Sequence, residues 1–225
     1  MLAMLQAGMH FGHLTSKRHP KMQPFIFGQR SNINIIDLEK TATQLQIALN
    51  FVTEKVANGG TVLFASTKLQ AGPLIEKYAK ECGMPYITNR WIGGTLTNFG
   101  SIIRLPKKLK DLEGKFERGE MKKYTKKEQL AFQNEITKLK EVVEGMKTLE
   151  KLPDVLFVCD LKKDRTALSE AKKRKIPVVA ISDTNTNPAG VDYIIPANDD
   201  AVKSLDIVIK LMSEAVAEGI AKRNA

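Results

Sequence analysis

The sequence predicts an α/β fold, a parallel sheet with helices on both faces, interrupted by two long charged helices. Three observations carry this. Short continuous apolar runs at 61–65, 154–159 and 177–181 read as strands buried on both sides. Stripes of apolar residues at helical spacing fall between such runs, the pattern of parallel strands joined by crossover helices. From about residue 102 to 152 no strand pattern occurs, and apolar residues recur only three or four apart.

The elements follow in order. An amphipathic turn at 2–7 runs into Gly8. Residues 8–30 read as a loop of 23 residues, punctuated by Gly8, Gly12, Pro20, Pro24 and Gly28. That is long for a plain connection, and Phe11, Met22, Phe25, Ile26 and Phe27 imply that it packs. Residues 33–38 read as a short buried strand, with Asp37 or a nearby Thr placed to cap the helix after it. Leu45, Leu49, Val52 and Val56 form one helical face, ended by Asn58, Gly59 and Gly60. A strand at 61–65, a helix at 70–82 and a strand at 84–88 complete a βαβαβ unit.

Helices are expected at 101–118 and 126–149. Ile102, Leu105, Leu109, Leu112 and Phe116 line the first, and Leu130, Ile136, Leu139, Val142, Val143 and Met146 the second. One narrow apolar stripe on each suggests an antiparallel helical hairpin protruding from the sheet. The division is then one α/β domain from 1–100 and 152–225, with the hairpin at 101–151. Alternation resumes with a strand at 154–159, a helix at 163–174 and strands at 177–181 and 193–196. A closing helix is expected at 199–221, where Asp199 and Asp200 would favour its N-terminus.

Composition narrows the function. The 225 residues are 43% hydrophobic and 27% charged, enough for a core and too ordered for a disordered chain. No apolar run approaches the ~18 residues of a membrane span, and no secretory leader is visible. Cys82 and Cys159, with 76 residues between them, exclude a disulfide scaffold and a CxxC zinc site, and fit a reducing compartment. The net charge of +10 is uneven: residues 1–40 carry +3, 104–151 carry +5, 162–175 carry +5, and 176–225 carry −3. Three basic stretches on one chain point to an extended anionic partner such as RNA.

Enzymatic motifs are sparse. GxGxxG and GxxxxGK[ST] are absent, as is a GxSxG elbow. Gly93, Gly94 and Thr95 could offer backbone amides to a phosphate. The alternative reading is therefore a Rossmann-like enzyme binding a phosphorylated small molecule at Gly93-Gly94. His10, His13 and His19 have near-helical spacing, but Gly12 and Pro20 oppose a regular helix, and packing or RNA contact is the better reading. Asp183, Asn185 and Asn187 resemble the start of a calcium loop. Pro188 and Ile194 stand where that loop needs Gly and Glu, so an Asx-rich turn is expected. No metal ligand or cofactor of the chain itself is expected, only structural Mg²⁺ accompanying RNA.

The positive case rests on basic residues near aromatic ones. Lys17, Arg18, His19, Lys21 and Arg30 alternate with Phe11, Phe25 and Phe27. Arg90 and Trp91 follow a strand end, where open α/β sheets form their binding crevice, although Trp91 reads equally well as packing in the core or at the hairpin base. Guanidinium and aromatic planes can stack on unpaired bases. Lys107, Lys108, Lys110, Lys122, Lys123, Lys126 and Lys127 lie along the hairpin and at its tip, suited to sequence-independent phosphate contact. A further group, Lys162, Lys163, Arg165, Lys172, Lys173, Arg174 and Lys175, flanks the 163–174 helix.

Three stretches carry a family resemblance. The first is Gly8-Met-His-Phe-Gly-His-Leu14, continuing through Pro20-Lys-Met22, Phe25-Ile-Phe27 and Arg30 to Ile35-Ile-Asp-Leu38. The second is Arg90-Trp-Ile-Gly-Gly-Thr-Leu-Thr-Asn98. The third is Asp183-Thr-Asn185 with Pro188, Asp192-Tyr193 and Ile195-Pro-Ala-Asn-Asp-Asp200. In this order they resemble the signatures of bacterial small-subunit ribosomal protein two, the S-two family. The departures are Asn34 before Ile35, the absence of Trp in Lys17-Arg-His19, and Thr186-Asn187 in the last stretch. The resemblance implies a flavodoxin-like sheet with a helical hairpin and a structural, non-catalytic role in the cytoplasmic ribosome. It implies small-subunit rRNA and neighbouring ribosomal proteins, including S-one, as partners, with no membrane and no homo-oligomer. Asn98, in the second stretch, joins the candidate rRNA contacts.

Overall fold

The computed structural model describes residues 1–224, the side chain of Lys122 excepted. The chain begins with α1 (Leu2–Gln6), β1 (Phe11–Leu14), β2 (Ile26–Arg30), β3 (Ile33–Ile36) and α2 (Leu38–Ala57). Next come β4 (Val62–Ala65), α3 (Gly72–Glu81), β5 (Tyr86–Ile87), α4 (Phe99–Ile102), α5 (Arg104–Glu117) and α6 (Lys126–Val143). It closes with β6 (Val155–Val158), α7 (Arg165–Arg174), β7 (Val178–Ser182), β8 (Tyr193–Pro196) and α8 (Val202–Asn224).

A parallel sheet runs in the order β5-β4-β6-β7-β8. Counted along the chain within this sheet, that is the flavodoxin-like order 2-1-3-4-5, and it reverses between β4 and β6. Alternate residues of each strand enter opposite cores. Val62, Phe64, Val155, Phe157, Val179 and Ile181 pack under α2, α3 and α8. Leu63, Ala65, Leu156, Val158, Val178 and Ala180 pack under α7 and the 91–149 segment. This is why the strands read as unbroken apolar runs.

The hairpin expectation needs a correction at its base. Ile102, Leu109, Val143, Met146 and Leu149 belong to the same buried cluster as Leu156 and Val178. The crossover from β5 to β6 thus covers a sheet face as a crossover helix would. Within it α5 and α6 lie against each other, with ion pairs from Lys108 to Glu135 and from Lys140 to Glu113. Thr125 and Glu128 form a reciprocal capping box that starts α6.

The N-terminal stretch departs most from expectation. Residues 8–30 are not a loop, and 33–38 is not the first strand of the parallel sheet. β1, β3 and β2 form a separate antiparallel sheet in that order. The turn between β2 and β3 is Ser31-Asn32, both left-handed at φ 49° and 62°, as a two-residue hairpin turn requires. Asp37 does cap α2, accepting from the amides of Glu39 and Lys40.

Helices α2 and α8 meet closely. A Cβ on Gly219 would lie 2.7 Å from the Thr53 carbonyl oxygen and 2.8 Å from Val56 Cβ. Backbone cannot yield as a side-chain tip can, so Gly219→Ala must push the helices apart. We expect it to cost ~1–3 kcal/mol, read as a lower urea midpoint at unchanged m-value.

Candidate nucleic-acid interface

The crevice at the carboxyl ends of the strands is where an α/β enzyme would hold its ligand. Here the protein fills it with its own ions. Lys68, just after β4, is buried, with its ammonium 2.9 Å from Asp199, 2.7 Å from Asp200 and 3.7 Å from Asp160. Burial works against the charge of Lys68, but the hydrogen bonds it donates to Asp200 and Asp199 outweigh this and hold the pKa above the ordinary lysine value. Asp199 is pushed up to about 6, by burial first and then by the field of Asp183. Asp164 is likewise raised to about 6 by burial, although the amide and hydroxyl of Thr67 donate to it. Asp199 and Asp200 therefore do not open α8, as the sequence suggested. The side chain of Asn198 caps that turn instead, accepting from the amides of Asp200 and Ala201.

The N-terminal sheet docks on the same edge. The His13 ring faces two carboxylates, with Nδ1 3.1 Å from Asp183 and Nε2 3.3 Å from Asp200. The bond to Asp183 raises its pKa, burial opposes this, and the fields of Asp183, Asp199 and Asp200 add to the rise. The His13 amide donates to the Thr184 hydroxyl at 2.9 Å, and the His19 amide to the Thr184 carbonyl at 2.8 Å. Asn198 holds residues 8 and 9 by two further bonds. A Cβ on Gly12 would fall 2.6 Å from Thr184 Cγ2 and 3.0 Å from the Asn34 carbonyl oxygen, so β1 can approach this closely only with glycine there. The 183–187 turn is an internal brace: Asp183 is buried and accepts from the Thr184 amide.

Metal-ligating atoms of His13, Asp199 and Asp200 lie within 4.8 Å of one another, but the cation among these carboxylates is Lys68. His10 and His19 are not part of that group.

The Gly93-Gly94 loop is also filled from within. Glu170 of α7 accepts from the amides of Gly94, Leu96 and Thr97 at 2.8, 2.9 and 3.0 Å. It also accepts from the Thr97 hydroxyl and from Trp91 Nε1, both at 3.1 Å. Burial works against its charge, but these donors hold its pKa below the usual glutamate value. Of the amides proposed for a phosphate, that of Gly94 already holds a carboxylate and that of Thr95 donates to the Ile92 carbonyl, which undercuts the phosphate-loop alternative. Trp91 is itself 9% exposed and bonded to Glu170, so its ring is not offered to a base. The loop follows the edge strand β5 and does not stand at the β4/β6 switch point.

The remaining candidate cations lie at the surface. Lys17, Arg18, Lys21 and Arg30 are exposed on the N-terminal sheet and its turns, and Arg90 and Asn98 at the two ends of the clamped loop. Lys107, Lys108, Lys110, Lys123, Lys126 and Lys127 are exposed on α5, α6 and their connection. Among the described residues only Lys108 of these is ion-paired, with Glu135. The Lys122 side chain lies outside the described residues. His19 is half-buried, accepting from the Lys21 amide. Phe11 and Phe27 are 47% and 81% exposed, while Phe25 is half-buried. No helix among the described residues is long and apolar enough to cross a membrane.

A family model for ribosomal protein S2 matches residues 4–219. The chain belongs to the ribosomal protein S2 family. Membership places it in the small ribosomal subunit, in a family that is structural rather than enzymatic. The three stretches that carried the resemblance are, in this S2-family chain, the docked N-terminal sheet, the loop around Glu170, and the crevice wall built by residues 183–200.

Two outcomes follow from the ion network. Lys68→Met strands Asp199 and Asp160, and should cost ~3–5 kcal/mol at neutral pH. The deficit should shrink as pH falls toward about 6, because Asp199, without the lysine that lowers its pKa, takes up its proton above that value. His13 has a raised pKa, so its stabilising pairs are complete below 6.5 and lost as pH rises through the folded value. Urea midpoints of the wild type should therefore decline from about pH 6.5 upward, and His13→Gln should flatten that decline.

Proposed function

We propose that the chain is a structural component of the small ribosomal subunit that binds small-subunit rRNA through its N-terminal sheet and its α5–α6 segment. The observation that supports this is the separation of charge. Acids gather in the crevice around Lys68 and His13, while Lys17, Arg18, Lys21, Arg30, Arg90, Lys107, Lys110, Lys123, Lys126 and Lys127 face solvent without a carboxylate partner among the described residues. Lysines on flexible stems suit phosphates, and arginines suit phosphates and stacked bases. The α5–α6 segment acts as an arm reaching rRNA from an α/β domain formed by the rest of the chain. The protein works as a single copy within the ribosome, and Mg²⁺ enters only with the rRNA. Docking of ribosomal protein S-one is part of this reading and is supported by the family resemblance alone.

Affinity for small-subunit rRNA should fall steeply with salt, by ~0.7–0.9 log units per phosphate contact for each log unit of salt. Lys107→Glu with Lys110→Glu and Lys123→Glu should lower both affinity and slope without lowering the unfolding midpoint. Lys108→Glu should do less, because Glu135 already holds that lysine. A flat salt response would overturn the reading. Small subunits assembled without the protein should retain less S-one on co-sedimentation.

A further inference from the structure

Two side chains of one helix hold both polarities of one loop. Glu170 gathers three backbone amides, a hydroxyl and an indole N–H from residues 91–97. Arg174, one turn further along α7, donates to the carbonyls of Leu96 and Thr97. Spacing of four puts both on one helix face. That helix is seated in the core by Ala167 and Ala171, each fully buried. Residues 94–97 thus have amides and carbonyls fixed by a helix more than 70 residues away in sequence.

A buried carboxylate is a poor way to gain stability, because apolar packing of the same volume does as well. What it does supply is geometry, since the amides must converge for the charge to be satisfied. The fixed loop starts at Trp91, directly after exposed Arg90. An arginine on a preorganised backbone loses less freedom on binding than one on a mobile loop.

We propose that Glu170 and Arg174 are positioning residues for an RNA phosphate contact made by Arg90. This rests on the rRNA-binding reading above. The test is a double-mutant cycle of Glu170→Gln and Arg90→Ala, measured as binding to a small-subunit rRNA transcript over several salt concentrations. Trp91 is the only tryptophan in the chain, so its emission reports directly on the state of the clamp. Gln cannot accept at both terminal atoms, so Glu170→Gln should shift that emission. It should also weaken binding and lower the salt slope by ~0.7–0.9, the share of one phosphate contact. Arg90→Ala should give the same loss of slope at unchanged emission, and the double variant should bind no more weakly than Arg90→Ala alone.

Shifted emission with unchanged affinity and slope in Glu170→Gln would overturn the proposal, as would full additivity of the two effects. If Glu170→Gln fails to fold, Arg174→Ala, which frees the carbonyls and leaves the carboxylate satisfied, is read against the same outcomes. Absence of rRNA binding by the wild type would overturn the rRNA reading and this proposal together. Wild-type binding left intact by the clamp variants would overturn the proposal alone.

Discussion

The ion network around Lys68 is the constraint on which the rest depends. Its ammonium ties the end of β4 to the segments after β6 and β8, drawing them together at the carboxyl ends of the strands. Asp200 also faces His13, so the same network holds the N-terminal sheet. Without the lysine, Asp199 and Asp160 would stand buried and unpaired. The network therefore joins the N-terminal sheet to the crevice and links both to pH through His13 and Asp199.

The two places where an α/β enzyme would hold an anion are both occupied by carboxylates of the chain. In the crevice, acids surround Lys68; at Gly93-Gly94, Glu170 takes the loop amides. A phosphate would meet like charge in both. The same arrangement leaves the basic side chains outside, on the small sheet, at the ends of the clamped loop and along α5 and α6. Interior charge is spent on shape, and surface charge is left for a partner. That division fits the family's place in a ribonucleoprotein better than it fits a soluble catalyst.

Much of the fold was legible. Strands 61–65, 154–159 and 177–181 and the helices beside them could be read because they are buried on both faces or on one stripe, and burial leaves a period in the sequence. The N-terminal sheet could not be read, because Gly12, His13, Gly28 and Gln29 break the alternation, and Ser31-Asn32 lacks the glycine of a common hairpin turn. The candidate site was legible as composition and illegible as geometry. Exposed lysines were found by type alone. Trp91 could be read as packing or as contact, because the partner of its indole N–H, Glu170, lies 79 positions away. Lys68 and Glu170 carried no local signal beyond an isolated lysine after a strand end and a glutamate on a small-residue helix face.

The sequence by itself determined the α/β class, the order of the parallel strands' apolar runs, the uneven charge and the family. Each follows from local pattern or from counting. Only the tertiary structure decided which charges are free and which are used. That depends on distances between residues far apart in the chain, and a charge satisfied by a distant partner looks the same in sequence as one facing water.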